Sequence, residues 1–337
     1  MRSVKIVGTG SYLPGEPVTN DQLREYLGGL GEYYSSLIKI HQRHWAKDLK
    51  TGVISEKNSD MATKAAINAL NNAGVDAKQV DLIIVSTDTP DCLSPPTVTF
   101  VQENLSIPEC CVIELSASCS GAIQALSIAA QFIQSGKYDT ALVIGSELKS
   151  FFFHVNYPGN TREDIFNMFI FGDGAGAAVL QGCDDENTGI GAYRINSCGV
   201  GHEPGMILPG GIGLIKSELL TPPRKYQDFG KVRKMESRMF RRLIGEIPKW
   251  INLKIDEIDK IVFPVEISVL VPLIPGLRQF QEKAFTLTPK IGFVASASSY
   301  IVLDDMNRRG LLRRGERIIL LNLDGSKWIY SFMLIEW

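Results

Sequence analysis

The chain is short of several things, and each shortage removes a class of protein. It holds four histidines and six cysteines in 337 residues. The cysteines (Cys92, Cys110, Cys111, Cys119, Cys183 and Cys198) fit no zinc-binding spacing, so no metal site is expected. They are too sparse for a disulfide scaffold, so reduced thiols and a cytoplasmic setting are expected. Neither sign of charge is in excess, and the formal net charge is −2. A general nucleic-acid binder would carry a basic surplus, so no nucleic-acid partner is expected. No apolar run reaches the length of a membrane span. The opening MRSVKIVGTGSYLPG has too short an apolar stretch for a secretory leader and reads as a strand and turn.

What is present is a globular composition, 45% hydrophobic and 21% charged, in a chain long enough for one large domain or two ordinary ones. Buried strands are expected at Asp81–Ser86, Thr140–Gly145, Ile190–Ile195, Ile261–Val265, Arg317–Leu321 and Ile329–Ile335. Helices are expected at Asn20–Tyr26, Asp60–Ala73, Val98–Leu105, Val232–Ile247 and Ala295–Met306. Asn156–Asp164 reads as a polar loop, and the glycine-rich Phe169–Leu180 ends as a strand. After the acidic turn at Cys183–Glu186 the pattern starts again. Tyr138–Glu147 aligns with Gly315–Asp324, and Glu114–Ala122 with Gly292–Tyr300, which sets Cys119 over Ala297. The expectation is a duplicated α/β unit with halves at 1–183 and 184–337.

One stretch concentrates chemistry. Val112–Gly136 (VIELSASCSGAIQALSIAAQFIQSG) reads as a strand end, a tight turn carrying Cys119, and a helix stopped at Gly136. A cysteine before a helix start faces unpaired N–H groups and the positive end of the helix dipole, and both favour thiolate. The same N–H groups can stabilise an oxyanion during attack on a carbonyl. A small buried cysteine filling a turn is the other reading of the same residues.

These residues carry a resemblance. KIVGTGSYLP with VTNDQL, ELSASCSGAIQALSIAAQFIQSGKYDTALVIGSE, and FGDGAGAAVL at Phe171–Leu180 resemble the β-ketoacyl-acyl-carrier-protein synthase III group of the thiolase-fold condensing enzymes, end to end. The resemblance implies a five-layer αβαβα fold from two duplicated halves, and a homodimer or a heterodimer with an active relative. It implies no tightly bound cofactor; the substrate is an acyl thioester of acyl carrier protein or coenzyme A. Cys119 is the implied nucleophile, and Gly325, in the short run Asn322-Leu323-Asp324-Gly325, the implied second oxyanion N–H.

Other positions depart from the family pattern. In IVFPVEIS the histidine place holds Val265 and the asparagine place Ser268; in the second motif Gly292 is kept and the asparagine place holds Phe293. Neither Val nor Phe can hold a proton or donate a side-chain hydrogen bond, and losing one oxyanion donor costs about 2.7–4 kcal/mol of transition-state stabilisation. The family's adenine-stacking tryptophan falls at Tyr33, and two of its arginines at Leu37 and Leu270. His202 is a candidate substitute base, with Glu266 another. The basic face formed by Arg233, Lys234, Arg238, Arg241 and Arg242 could dock an acidic carrier. The expected function is therefore an acyltransferase passing its acyl group to a non-malonyl acceptor in fatty-acid-like or secondary metabolism. The alternatives are a catalytically degenerate partner subunit or small-ligand binder, and a decarboxylating condensing enzyme with relocated catalytic groups.

Overall fold

The computed structural model describes residues 2–185, 188–208, 226–264 and 278–337. Ten strands form two five-stranded sheets. The first contains β1 (Ser3–Tyr12), β2 (Leu82–Ser86), β3 (Cys111–Leu115), β4 (Thr140–Glu147) and β5 (Gly174–Cys183), in the order β1-β5-β4-β2-β3. The second contains β6 (Gly189–Ser197), β7 (Lys260–Val262), β8 (Ala284–Phe285), β9 (Arg317–Asp324) and β10 (Ile329–Glu336), in the order β6-β10-β9-β7-β8. Directions match as well. β2 runs parallel to β3 and β4 as β7 does to β8 and β9, and the remaining neighbours are antiparallel in both sheets.

Side-chain alternation along the strands builds the layers. On β2, Leu82 and Ile84 face one core while Ile83 and Val85 face another; on β9, Ile318 and Leu320 part from Ile319 and Leu321 in the same way. The inner core lies between the sheets and encloses α4 (Gly121–Gln134) and α7 (Ser298–Arg308). The outer face of the first sheet is covered by α2 (Asn58–Ala73) and α3 (Thr97–Asn104), and that of the second by α6 (Phe229–Ile251). This is the expected αβαβα layering of a thiolase-like fold. Strands covered on both faces need continuous apolar runs, which is why LIIVS is fully buried. Among the described residues no helix is long and apolar enough to cross a membrane.

Two local expectations are corrected. The helix starting at Asn20 does not stop at Tyr26: α1 runs Asn20–Leu37, capped by Thr19 and kinked at Gly28, whose positive φ permits the bend. The expected polar loop holds through Thr161, but its last three residues are helical. Thr161 and Asp164 form a reciprocal cap and begin α5 (Arg162–Ile170), a signal of the capping-box type inside a polar segment. The glycine run ends as a strand, as expected, beginning at Gly174 after that helix. Its glycines permit close approach; a Cβ on Gly176 would sit 2.6 Å from the Tyr300 Cβ.

Candidate functional site

The carboxyl ends of the parallel strands β2, β3 and β4 converge, which is where open α/β sheets place their sites. After β3, Ser118–Ser120 make one turn of 3-10 helix leading into α4. Cys119 is buried in that turn. Ser118, just before it, has a left-handed φ of 45°, uncommon outside glycine. Asp88, following β2, holds it there: Asp88 accepts the Ser118 N–H at 3.1 Å and the Ser118 hydroxyl at 2.7 Å. From the other half, the side-chain amide of Asn322 on β9 donates to the Cys119 carbonyl.

A buried ionic cluster lies behind the turn. The Lys149 ammonium, its side chain 1% exposed, is 2.9 Å from Glu147 and 3.3 Å from Asp88. Glu147 also accepts from Ser296 at 2.8 Å and Thr89 at 3.2 Å. Burial alone would push the Lys149 ammonium down, but Glu147 and Asp88 more than offset this and hold it above the ordinary lysine value; Cys119 acts in the same direction. Burial raises Glu147 above the ordinary carboxyl range, against the pull of Lys149. Asp324, at the end of β9, is pushed up to about 6 by burial, although the Ser326 N–H and hydroxyl bonds oppose the shift. Enclosure pushes Glu236 on α6 up to about 7, and the neighbouring Asp324 adds to the effect. The Glu236 carboxyl borders the hairpin at Gly325: a Cβ there would lie 3.6 Å from Glu236 Oε1.

A cleft of about 1190 Å³ opens onto this turn, and its wall includes Asp88, Ser116, Ser118, Leu148, Met206 and Ser326. Cys119 is buried and is not itself among the lining residues, but its neighbour Ser118 is, so the thiol lies one residue from a cleft that could present a carbonyl, with main-chain N–H groups near the developing oxyanion.

The other expected site residues divide into three sets. Gly325 is buried in the turn between β9 and β10, next to the cleft-lining Ser326. Phe293 does not project a polar group: its ring packs on Phe171 with centroids 5.6 Å apart. Its N–H donates to the Ile170 carbonyl and its carbonyl accepts from Gly172. His202 is exposed, is not among the described residues lining the cleft, and its main-chain carbonyl accepts from Lys327. Tyr33 and Leu37 lie exposed on α1. The arginines and lysine of the basic α6 face are exposed. Val265, Glu266, Ser268 and Leu270 lie outside the described residues.

The internal alignment is corrected by one position. Ala295, with a φ of 40°, precedes α7 as Ser118 precedes α4, so Ser296, not Ala297, is the counterpart of Cys119. Residue types conceal this register, because the diagnostic feature is a left-handed backbone and not a shared side chain. Asp88, Glu147 and Lys149 escaped the sequence reading. The available signal was charge at the carboxyl ends of two otherwise apolar strands.

A model of the 3-oxoacyl-[acyl-carrier-protein] synthase III family matches residues 113–199. The β-ketoacyl-[acyl-carrier-protein] synthase III of Clostridium acetobutylicum is 32% identical over 346 aligned residues, spanning 100% of this chain and 99% of its own. The chain belongs to the β-ketoacyl-acyl-carrier-protein synthase III family. The family's member from Ehrlichia canis is 41% identical over 60% of each chain. Two solved structures are similar throughout. The tetronic acid condensing enzyme AbyA1 has a TM-score of 0.88 at 27% identity, covering 99% of this chain and 100% of its own. The 3-oxoacyl-[acyl-carrier-protein] synthase III of Aquifex aeolicus has 0.83 at 28%, with the same coverage. The family is one of thiolase-fold condensing enzymes.

Proposed function

We propose that this family member is an acyltransferase in which Cys119 takes an acyl group from a thioester of acyl carrier protein or coenzyme A and delivers it to a non-malonyl acceptor. In the first step the Cys119 sulfur bonds to the acyl carbon and the bond to the carrier sulfur breaks; the carrier leaves as its thiol with the proton from Cys119. In the second, an alcohol, amine or thiol acceptor bonds to the acyl carbon and the bond to Cys119 breaks, with the acceptor's proton returning to Cys119. The proton balance closes without a further base. A helix-start N–H and Gly325 are the proposed oxyanion donors.

The observation that carries this reading is the contrast between Cys119, set at a helix start beside an open cleft, and Phe293, whose place is taken by ring packing. A retained nucleophile without an enolate-stabilising amide suits acyl transfer better than decarboxylative condensation. Likeness to a protein named as a tetronic acid condensing enzyme supports a specialised pathway. The exposed basic face of α6 is the proposed dock for an acidic carrier, and a dimer the proposed assembly.

Intact-mass spectrometry after incubation with a panel of acyl thioesters tests the proposal. The expected result is an acyl adduct on wild type, absent in Cys119→Ala and discharged by a nucleophilic acceptor. A protein that gains no mass from any donor, or that decarboxylates malonyl thioesters efficiently, overturns it.

A further inference from the structure

The Lys149 cluster has no part in the transfer chemistry above, yet it is among the most costly features of the molecule. Burying an ammonium with two carboxyl groups exacts a desolvation penalty that apolar residues would avoid. The cluster is fully bonded: Asp88 engages Ser118, and Glu147 engages Ser296 and Thr89. It also joins the nucleophile turn to the ends of β2 and β4. Because Asp88 binds both Lys149 and the residue before Cys119, one carboxylate ties the buried ammonium to the turn that carries the cysteine.

We propose that Lys149 is a positioning residue for charge, the buried cation that lets Cys119 exist as a thiolate among carboxyl groups. The surroundings of Cys119 make this role necessary. Asp88 binds the residue before Cys119 and shares the ammonium with Glu147, Asp324 ends the strand whose Asn322 holds the Cys119 carbonyl, and Glu236 neighbours Asp324. Each of these opposes a negative sulfur when ionised. The start of α4 and the Lys149 ammonium favour it. Without the lysine, the thiol would face Asp88 and Glu147 uncompensated, and its proton would be retained to higher pH.

The inference rests on Cys119 as the acyl-accepting nucleophile, but its test needs no acyl donor. The rate of Cys119 alkylation by iodoacetamide is followed against pH by peptide-resolved mass spectrometry, which separates Cys119 from the other five cysteines. In Lys149→Met the midpoint is expected to rise by a unit or more, so that alkylation at pH 7 slows about tenfold. Lys149→Arg, which keeps the charge, is expected to stay near wild type. If Lys149→Met does not fold, Lys149→Gln replaces it, since an amide can still donate to the carboxyl groups without carrying charge. An unchanged midpoint in a folded neutral variant overturns the inference even if wild type is readily acylated. A raised midpoint in a wild-type background that accepts no acyl group supports the inference and sinks the proposed transfer instead.

Discussion

Cys119 and Ser296 occupy equivalent places in the two halves of the molecule. Each is the second residue of a 3-10 turn whose first residue has a left-handed φ, before a central helix, and each turn is tied to a strand of the opposite half. Asn322 on β9 holds the Cys119 carbonyl, while the Ser296 hydroxyl donates to Glu147 on β4. The duplicated framework has thus been put to two uses. One copy sets a buried thiol next to the cleft-lining Ser118, and the other braces the ionic cluster through Glu147.

The Asn322 contact links the halves at Cys119. Asn322 is fully buried, and its carbonyl oxygen accepts from the Ser299 hydroxyl at 3.0 Å. Asn322→Ala is expected to remove the hydrogen bond that Asn322 makes to the Cys119 carbonyl and the one it accepts from the Ser299 hydroxyl. The loss should be about 0.5–1.5 kcal/mol per hydrogen bond, read from urea unfolding, with slower Cys119 alkylation in the folded fraction.

Phe293→Asn is expected to restore a residue type without restoring chemistry. The ring packs against Phe171 in a cluster with Phe169 and Trp45, so truncation should cost about 2–4 kcal/mol. Malonyl decarboxylation should stay at background in the same variant. A stable variant with clear decarboxylase activity contradicts the assignment of this position as packing.

Gly176 is tested by a single methyl. In Gly176→Ala the new Cβ meets Tyr300 at 2.6 Å, between β5 and the central helix α7. Overpacking of this kind costs about 1–3 kcal/mol. A lowered melting temperature, without loss of the alkylation midpoint of Cys119, is the expected outcome.

Glu236 gives a pH dependence with a definite sign. Its folded value of about 7 lies above the ordinary glutamate value, so the folded state binds the proton more tightly than the unfolded chain. Its contribution to stability is fully present below the ordinary value of about 4.3 and is lost as pH rises through 7. Asp324, at about 6, acts in the same sense over a slightly lower range. Glu236→Gln should therefore gain stability relative to wild type between pH 5 and pH 8, on the order of 2 kcal/mol after allowing for partial exposure. Parallel melting curves for the two proteins across that range would show that Glu236 does not carry the proton.

Much of the architecture was legible because its causes are local. Leu82–Ser86 and Thr140–Glu147 are apolar enough to be recognised as strands covered on both faces. The helix at Asn58–Ala73 ends at Gly74, whose left-handed conformation closes it. The strand, turn and helix around Cys119 were likewise readable, since turn residues and helical spacing lie within a few positions of each other. Alpha5 was missed because its reciprocal cap is set in a polar run whose apolar face shows only against α1 and the Phe171 cluster.

By itself the sequence determined the alternation of strands and helices, the duplication, and a cysteine at a helix start, all of which follow from burial periodicity and backbone preference over short windows. Only the tertiary structure decided which groups meet at that cysteine. Asp88 and Asn322 reach the same turn, and Lys149 reaches Asp88, because parallel strands bring distant carboxyl ends together, and no local pattern records which charges will share that space. The register of the duplication was decided there too, by the left-handed backbone at Ser118 and Ala295, which unlike side chains at the two turns conceal.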